Sequence, residues 1–273
     1  MIDYEFRIIT PTLRSLVSKK KITEPILIKK IPKQHITINN LNKLNYNYFS
    51  NLKKISKICY RGLPINNRKD FIKSELELEA CFFDLKKKVK KIFKKNLIGK
   101  RIIQIPNPFE FSIKDFKKFI KENFSRTEYY GFELIPNWHF SKNKNICIND
   151  YDEFFEFIVN KKKPLCFESD FLFREYNNMY KLFYVIKKFP SIKILLPKLG
   201  AGIFLYDSFL KKLKLKNKIT IYTSAPNSLE WLFNIKKNYL LKNTNITFGS
   251  DHPFNGYKTF KIYNAYNKWK NNV

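Results

Sequence analysis

The sequence predicts a closed (β/α)8 barrel, an α/β fold with a parallel sheet at its centre. Two observations predict it. Segments with strand and helix patterns alternate from residue 100 onwards, which is typical of βαβ units. The sequence also has no GxGxxG or GxxxxGK(S/T) loop, whereas an open doubly wound sheet carries a glycine-rich phosphate turn after its first strand. The 273 residues, 44% of them hydrophobic, can form one barrel domain over residues 1–273.

Seven segments have strand patterns. They are residues 2–9, 100–106, 130–135, 164–168, 192–197, 218–223 and 245–249, and residues 25–31 are a candidate for the eighth. Apolar residues at helical spacing predict helices near 112–124, 151–159, 175–189, 206–215 and 229–240, and a closing helix from residue 257. Ser112 is the predicted N-cap of the first of these helices, with Asp115 at the capping-box position.

Residues 10–99 are expected to be irregular, with loops rich in Lys and Asn and one lysine-rich amphipathic helix over about 70–95. A charge run of this kind is typical of a solvated helix face rather than a binding patch.

The chain is strongly basic, with 53 Lys and Arg against 23 Asp and Glu, a net charge of +30. Such a charge suits a polyanion such as nucleic acid or an anionic membrane surface. The excess is almost all Lys, beside abundant Asn, Ile, Phe and Tyr, a composition typical of an A/T-biased genome. Specific nucleic-acid contacts favour Arg. We therefore expect attraction of small anionic substrates rather than a nucleic-acid function.

Signals for secretion or membrane insertion are not found in the sequence. Residues 1–10 contain acidic groups and no apolar signal segment, and no apolar run approaches the ~18–20 residues of a membrane span. The four cysteines have no CxxC spacing, and Cys166, in an apolar strand, is interpreted as a small core residue. These features predict a cytoplasmic protein and leave its oligomeric state open.

Four segments carry a family resemblance. They are GFELIP at 131–136, KPLCFE at 163–168, FPSIKILLPKLG at 189–200 and FGSDHPF at 248–254. In this order and spacing they resemble strands four, five, six and eight of the amidohydrolase-related family of metal-dependent hydrolases and decarboxylases. The resemblance implies an amidohydrolase-like TIM barrel, whose site lies at the C-terminal ends of the strands.

The resemblance also implies ligand positions, and most of them hold other residues here. The opening Met1-Ile2-Asp3 is similar to the segment before the family's metal-binding His-x-His pair, whose two positions are Glu5 and Arg7. The strand-five histidine position is Glu168, and the strand-six position is Lys198. Asp251 keeps the family's metal-binding and proton-transferring aspartate.

Two arrangements are consistent with these replacements. In the first, Arg7 and Lys198 repel a metal ion and neutralise the carboxylates of the site in a salt-bridge network, so that no cofactor is needed. In the second, the carboxylates hold a divalent cation such as Mg²⁺, Mn²⁺ or Zn²⁺. The carboxylates of that second arrangement are Glu5, Glu133, Glu168 and Asp251.

The leading functional hypothesis is a hydrolase or related lyase that acts on a small anionic substrate. Asp251 is the general base or acid, and Lys198 or Arg7 binds a substrate carboxylate or stabilises an oxyanion. Glu168 and Glu5 orient these cations. The predicted catalytic residues are Asp251, Lys198 and Glu168, and the predicted substrate-binding residues are Arg7, Glu5, Glu133, His139 and His252.

Alternative interpretations exist for the histidines and for the whole protein. His139 follows strand four and His252 follows Asp251, so a structural loop role is the alternative for both. The loss of the four family histidines supports a second hypothesis, a catalytically inactive barrel that binds a ligand or acts as a scaffold.

Overall fold

A computed structural model describes residues 2–18, 37–52, 54–63, 65, 67–124, 129–135, 146–168, 176–197, 219–224, 245–250 and 258–271. Within these residues, eight parallel strands form one sheet in chain order. The strands are β1 (Ile2–Arg7), β2 (Lys57–Arg61), β3 (Ile98–Gln104), β4 (Tyr129–Leu134), β5 (Leu165–Phe167), β6 (Ile194–Leu196), β7 (Ile219–Thr223) and β8 (Asn245–Phe248). This topology is that of a (β/α)8 barrel.

Side-chain hydrogen bonds bring the two ends of the sheet together. The backbone N–H of Ser250, just after β8, donates to Asp3 Oδ1 of β1 at 2.9 Å. The Ser250 hydroxyl donates to Asp3 Oδ2 at 2.5 Å, and the Tyr48 hydroxyl donates to the same oxygen. Asp3 is fully buried, and these donors satisfy its carboxylate, as burial of a charge requires.

Seven described α-helices accompany the sheet. They are α1 (Pro11–Ser18), α2 (Ile38–Asn51), α3 (Arg68–Phe93), α4 (Ile113–Phe124), α5 (Asp152–Asn160), α6 (Tyr176–Lys188) and α7 (Lys258–Asn271), with a 3₁₀ turn at Ile148–Tyr151. Among these described helices, none has both the length and the apolar character needed to cross a membrane.

Local sequence signals explain where two of the helices begin. The backbone N–H of Asp115 donates to Ser112 Oγ at 3.1 Å, which confirms the predicted cap of α4. Helix α3 begins after Asn67, whose Oδ1 accepts from the N–H of Asp70 at 3.1 Å, and it ends at Lys94 with a φ of 52°. Its lysines between residues 86 and 91 lie exposed, opposite an apolar face that packs on the barrel.

Most of the predicted elements are confirmed, and the largest correction concerns residues 10–99. The described part of this interval contains α1, α2, α3 and β2 rather than one helix among loops. Helix α2 was not predicted because its sequence, INNLNKLNYNYFSN, is rich in Asn. It forms because Thr37 caps it and because Tyr48 and Phe49 pack on Phe6 of β1, at ring distances of 5.2 and 6.0 Å.

The strand that completes the barrel, β2, was also not predicted. Its sequence, KICYR, places the charged Arg61 at a position that faces the inside of the barrel. The apolar pattern by which a strand is recognised in a sequence is therefore missing. The candidate strand at 25–31 and the helices predicted at 206–215 and 229–240 lie outside the described residues.

Candidate active site at the C-terminal ends of the strands

Five polar side chains meet inside the barrel where its first five strands end. Arg7, Arg61 and Gln104 are the last residues of β1, β2 and β3, Glu133 is the penultimate residue of β4, and Glu168 directly follows β5. Between 0 and 4% of each residue is exposed. The carboxyl ends of barrel strands are where catalytic groups concentrate. We call these five residues the arginine–glutamate cluster.

Glu133 lies at the centre of the cluster, and both of its carboxylate oxygens accept hydrogen bonds. Arg61 Nη1 donates to Oε1 at 2.6 Å, and the Cys166 thiol donates to the same oxygen at 3.5 Å. Arg7 Nη1 donates to Oε2 at 3.2 Å, and Gln104 Nε2 donates to it as well.

The donors around Glu133 determine its ionisation. Burial by itself would raise the pKa of Glu133, but the Arg61 and Arg7 guanidiniums and the Gln104 and Cys166 hydrogen bonds together lower it. Glu133 is therefore a carboxylate at neutral pH. With both oxygens engaged, it holds the two arginines and is not placed to accept a proton from a substrate.

Arg7 bridges the two glutamates. Its Nη2 donates to Glu168 Oε2 at 2.8 Å, while its Nη1 donates to Glu133 and, at 3.4 Å, to the carbonyl of Gly62. An ion pair between Arg7 and Glu168, which the first of the two arrangements would require, is therefore present. A guanidinium keeps its charge at every physiological pH, so the cluster presents a fixed positive group beside Glu168.

Arg61 lies deeper in the barrel. Its Nη1 donates to Cys166 Sγ at 2.9 Å, and its Nη2 donates to the Tyr4 carbonyl at 2.7 Å and to the Tyr222 hydroxyl at 2.9 Å. The Cys166 thiol and the Tyr222 hydroxyl are hydrogen-bonded at 2.8 Å. Cys166 is a buried core residue, as expected, packed with Leu195 and Tyr222, and its thiol also hydrogen-bonds to the arginine–glutamate cluster. Burial raises the pKa of this thiol.

The predicted site residues fall into two groups. Arg7, Glu133 and Glu168 are brought together. The side chain of Glu5 and the residues Lys198, Asp251, His139 and His252 lie outside the described part of the chain. Asp251 follows Ser250 directly, and Asp3 fixes Ser250 at the barrel seam.

Two residues of the cluster, Arg61 and Gln104, were not predicted. Gln104 lies within a strand that was identified, over 100–106, and a polar residue among the apolar residues of that strand was the available signal. Arg61 could be found only if 57–61 were recognised as a strand.

The described residues of the cluster do not fit a divalent metal. Arg7 Nη1 and Nη2 lie 3.2 and 2.8 Å from carboxylate oxygens of Glu133 and Glu168, and a cation would have to displace this guanidinium or lie against it. Within the described ranges, no three His, Cys, Asp or Glu side chains converge as metal ligands would. The negative charge that could attract a metal is already compensated by Arg7 and Arg61.

Comparison with solved structures agrees with the fold. No protein-family model and no curated protein matches the sequence. Among solved structures, a dihydroxybenzoic acid decarboxylase from a Polaromonas species, with bound manganese and an inhibitor, aligns with a TM-score of 0.60 at 11% identity, over 96% of this chain and 90% of that one.

Two further structures have other activities. The 4-oxalomesaconate hydratase from Rhodopseudomonas palustris aligns with a TM-score of 0.53 at 13% identity, over 96% of this chain and 88% of that one. A probable 2-pyrone-4,6-dicarboxylic acid hydrolase from Acinetobacter baumannii, with citric acid bound, aligns with a TM-score of 0.57 at 10% identity, over 98% and 91%. At such identities these likenesses establish the fold, and the chain has the amidohydrolase-like TIM-barrel fold that its sequence predicts.

Proposed function

We propose that this protein is a divergent amidohydrolase-like enzyme that acts on a small anionic substrate by hydrolysis or a related lyase reaction. The observation that carries the proposal is the buried Arg7 guanidinium, held between Glu133 and Glu168 where the barrel strands end. A fixed cation in a desolvated site binds a carboxylate or stabilises an oxyanion far more strongly than the same cation in water.

The substrate class is supported by two further observations. The structures of similar fold are described with dihydroxybenzoic acid, 4-oxalomesaconate, 2-pyrone-4,6-dicarboxylic acid and citric acid, all of them small carboxylic acids or their anions. The net charge of +30 raises the local concentration of small anions around the protein.

The proposed roles follow the chemistry of each residue. Arg7 and Lys198 bind the anionic group and stabilise the charge that develops on it. Asp251 transfers the proton, and Glu168 orients Arg7 through their 2.8 Å ion pair. Glu5, His139 and His252 are proposed to line the site, whereas we assign Glu133 to holding Arg7. In this proposal Arg7 and Lys198 take the electrostatic role that a bound Mg²⁺, Mn²⁺ or Zn²⁺ would otherwise have.

A second candidate is an inactive barrel that binds a ligand or acts as a scaffold. The observation that favours it is the charge balance of the cluster, since the guanidiniums of Arg7 and Arg61 pair with the carboxylates of Glu133 and Glu168. A cluster that satisfies its own charges can serve stability alone.

Turnover and binding of small carboxylates test the proposal. A panel including 2,6-dihydroxybenzoate and citrate would be followed by NMR for product formation and by calorimetry for binding. We expect Asp251→Asn to abolish turnover with an unchanged circular dichroism spectrum, and Arg7→Met to abolish binding. Arg68→Met is the matched control, because Arg68 lies half exposed in a surface pair with Asp115. Turnover retained in Asp251→Asn would refute the assignment, and binding without turnover would favour the inactive barrel.

A further inference from the structure

Arg61 is the most deeply buried cation of the arginine–glutamate cluster. It is 0% exposed, and its partners come from four other strands: the Tyr4 carbonyl of β1, Glu133 of β4, Cys166 of β5 and Tyr222 of β7. Its guanidinium carbon also lies 5.7 Å from the centre of the Tyr222 ring. A buried guanidinium persists only when such partners compensate the loss of water.

The contacts form a chain from Arg61 to Arg7. Arg61 Nη1 holds Glu133 Oε1 at 2.6 Å, and the other oxygen of that carboxylate accepts from Arg7 Nη1 at 3.2 Å. Because a carboxylate is a rigid planar group, fixing one oxygen limits where the other can lie. Through these two hydrogen bonds, Arg61 acts on the orientation of Arg7 by way of Glu133.

The second consequence concerns charge. Without Arg61, the single charge of Arg7 would face two carboxylates, Glu133 at 3.2 Å and Glu168 at 2.8 Å, and the net negative charge would repel a substrate anion. Arg61 supplies a second positive charge to Glu133 at the shorter of the two distances, 2.6 against 3.2 Å. With Arg61 present, two guanidiniums balance the two carboxylates, so the negative charge of the group no longer outweighs the attraction of Arg7 for a ligand at the strand ends.

We propose that Arg61 is a positioning residue, which holds Glu133 so that Arg7 is oriented to bind the anionic group of a substrate. This inference rests on the proposed function in one respect, the identity of the anion that Arg7 binds. The alternative is that Arg61 only compensates a buried carboxylate, and the chain contains a matched example of that role. Arg101 is 3% exposed, and its Nη2 donates to Glu75 at 2.7 Å, but this pair lies between β3 and α3, on the outside of the barrel.

The test compares Arg61→Met with Arg101→Met, each of which removes one guanidinium from a buried pair. The first readout is the ¹⁵N–¹H signals of the Arg7 guanidinium, which are resolvable because the sequence has only seven arginines. We expect hindered rotation of the Arg7 guanidinium in the unaltered protein. Arg61→Met should abolish this hindrance, whereas Arg101→Met should leave it intact.

The second readout is the dissociation constant of 2,6-dihydroxybenzoate, which we expect Arg61→Met to raise about tenfold and Arg101→Met to leave unchanged. Arg61→Lys, which can still reach one partner, is used in both readouts if the Met variant does not fold, and should give intermediate results. Unchanged Arg7 signals in a folded Arg61 variant would overturn the inference. If the unaltered protein does not bind the probe, the proposed ligand class fails, while the Arg7 signals still decide the role of Arg61.

Discussion

Two buried arginine–glutamate arrangements can be compared within this one protein. Inside the barrel, Glu133 accepts hydrogen bonds from Arg61, Arg7, Gln104 and Cys166. Outside the barrel wall, Glu75 of α3 pairs with Arg101 of β3. Both glutamates are almost fully removed from water, with 0 and 3% of their surface exposed.

The two carboxyls differ in the direction of their pKa shifts. Burial raises the pKa of Glu75 and outweighs the opposing effect of Arg101. Burial also acts to raise the pKa of Glu133, but two guanidiniums and two further hydrogen bonds reverse the shift. The comparison teaches that the number of donors, rather than the presence of an arginine, decides the direction in which the pKa of a buried carboxyl shifts. The cluster around Glu133 is therefore built around a permanent charge, whereas the pair of Glu75 and Arg101 supports packing.

The largest expected effect comes from removing each carboxylate in turn. Glu133→Gln leaves Arg61 buried without its closest counter-charge, and we expect a loss of about 3–5 kcal/mol in the free energy of unfolding. Glu75→Gln should cost only about 1–2 kcal/mol, because Arg101 keeps its hydrogen bond to the backbone carbonyl of residue 75 and its contact with the Phe124 ring. Urea denaturation followed by circular dichroism measures both. An equal or larger loss in Glu75→Gln would contradict the comparison.

Substitutions of two glycines extend the same comparison. A Cβ on Gly131 of β4 would lie 2.4 Å from the Pro164 carbonyl, and one on Gly99 of β3 would lie 2.2 Å from the Phe82 ring. Gly131→Ala and Gly99→Ala should each cost about 1–3 kcal/mol through overpacking. Only Gly131→Ala pushes apart β4 and β5, on which Glu133 and Glu168 depend, so only it should alter the Arg7 guanidinium signals. Equal changes in both variants would show that these signals report general strain.

A tyrosine pair should give a smaller effect. Tyr222→Phe removes the buried hydroxyl that accepts from Arg61 and bonds Cys166, and we expect a loss of about 1 kcal/mol. Tyr60→Phe removes a hydroxyl that donates to Glu79, half of whose side chain is exposed, and water can replace that bond, so the expected loss is about 0.5 kcal/mol or less. Thermal or urea unfolding compares the two, and the reverse order would contradict the account.

The pH dependence of stability should show opposite signs for the two glutamates. The raised pKa of Glu75 means that its folded form binds the proton more tightly, so its contribution to stability falls as pH rises above the ordinary value of 4.5. The lowered pKa of Glu133 means that its contribution is present above its ordinary value, also 4.5, and is lost as pH falls through its folded pKa. Urea midpoints at several pH values measure these slopes. Relative to the unaltered protein, Glu75→Gln should remove the loss of stability that Glu75 causes above pH 4.5. Glu133→Gln should remove the loss of stability that Glu133 causes below pH 4.5.

The sequence predicts the barrel because the same alternation of strand and helix patterns recurs along the chain. In the sequence, the strand segments from β3 onwards are mainly apolar and alternate with segments of helical spacing. Strand β2 breaks that pattern, since KICYR places a charged side chain inside the barrel. Its identity as a strand depends on neighbours at residues 2–7 and 98–101, which are distant in sequence.

The site was predicted only in part, for a related reason. The family resemblance located Arg7 and Glu168, whose opposite charges lie at the C-terminal ends of β1 and β5, on the same side of the barrel. It could not indicate that both oxygens of Glu133 are engaged, because those donors come from residues 61, 7, 104 and 166. Arg61 is the clearest case, since its Tyr222 partner lies 161 residues away.

The central claim is that the fixed Arg7 guanidinium stands where the resemblance implies a metal ligand, and its most direct test is the metal content of protein purified without chelators. We expect far less than one transition metal or Mg²⁺ ion per chain, and no activity gained when metals are added. One tightly bound ion per chain that is lost in Asp251→Ala would contradict the account, because it would mean that carboxylates at the strand ends have rebuilt a metal site beside Arg7.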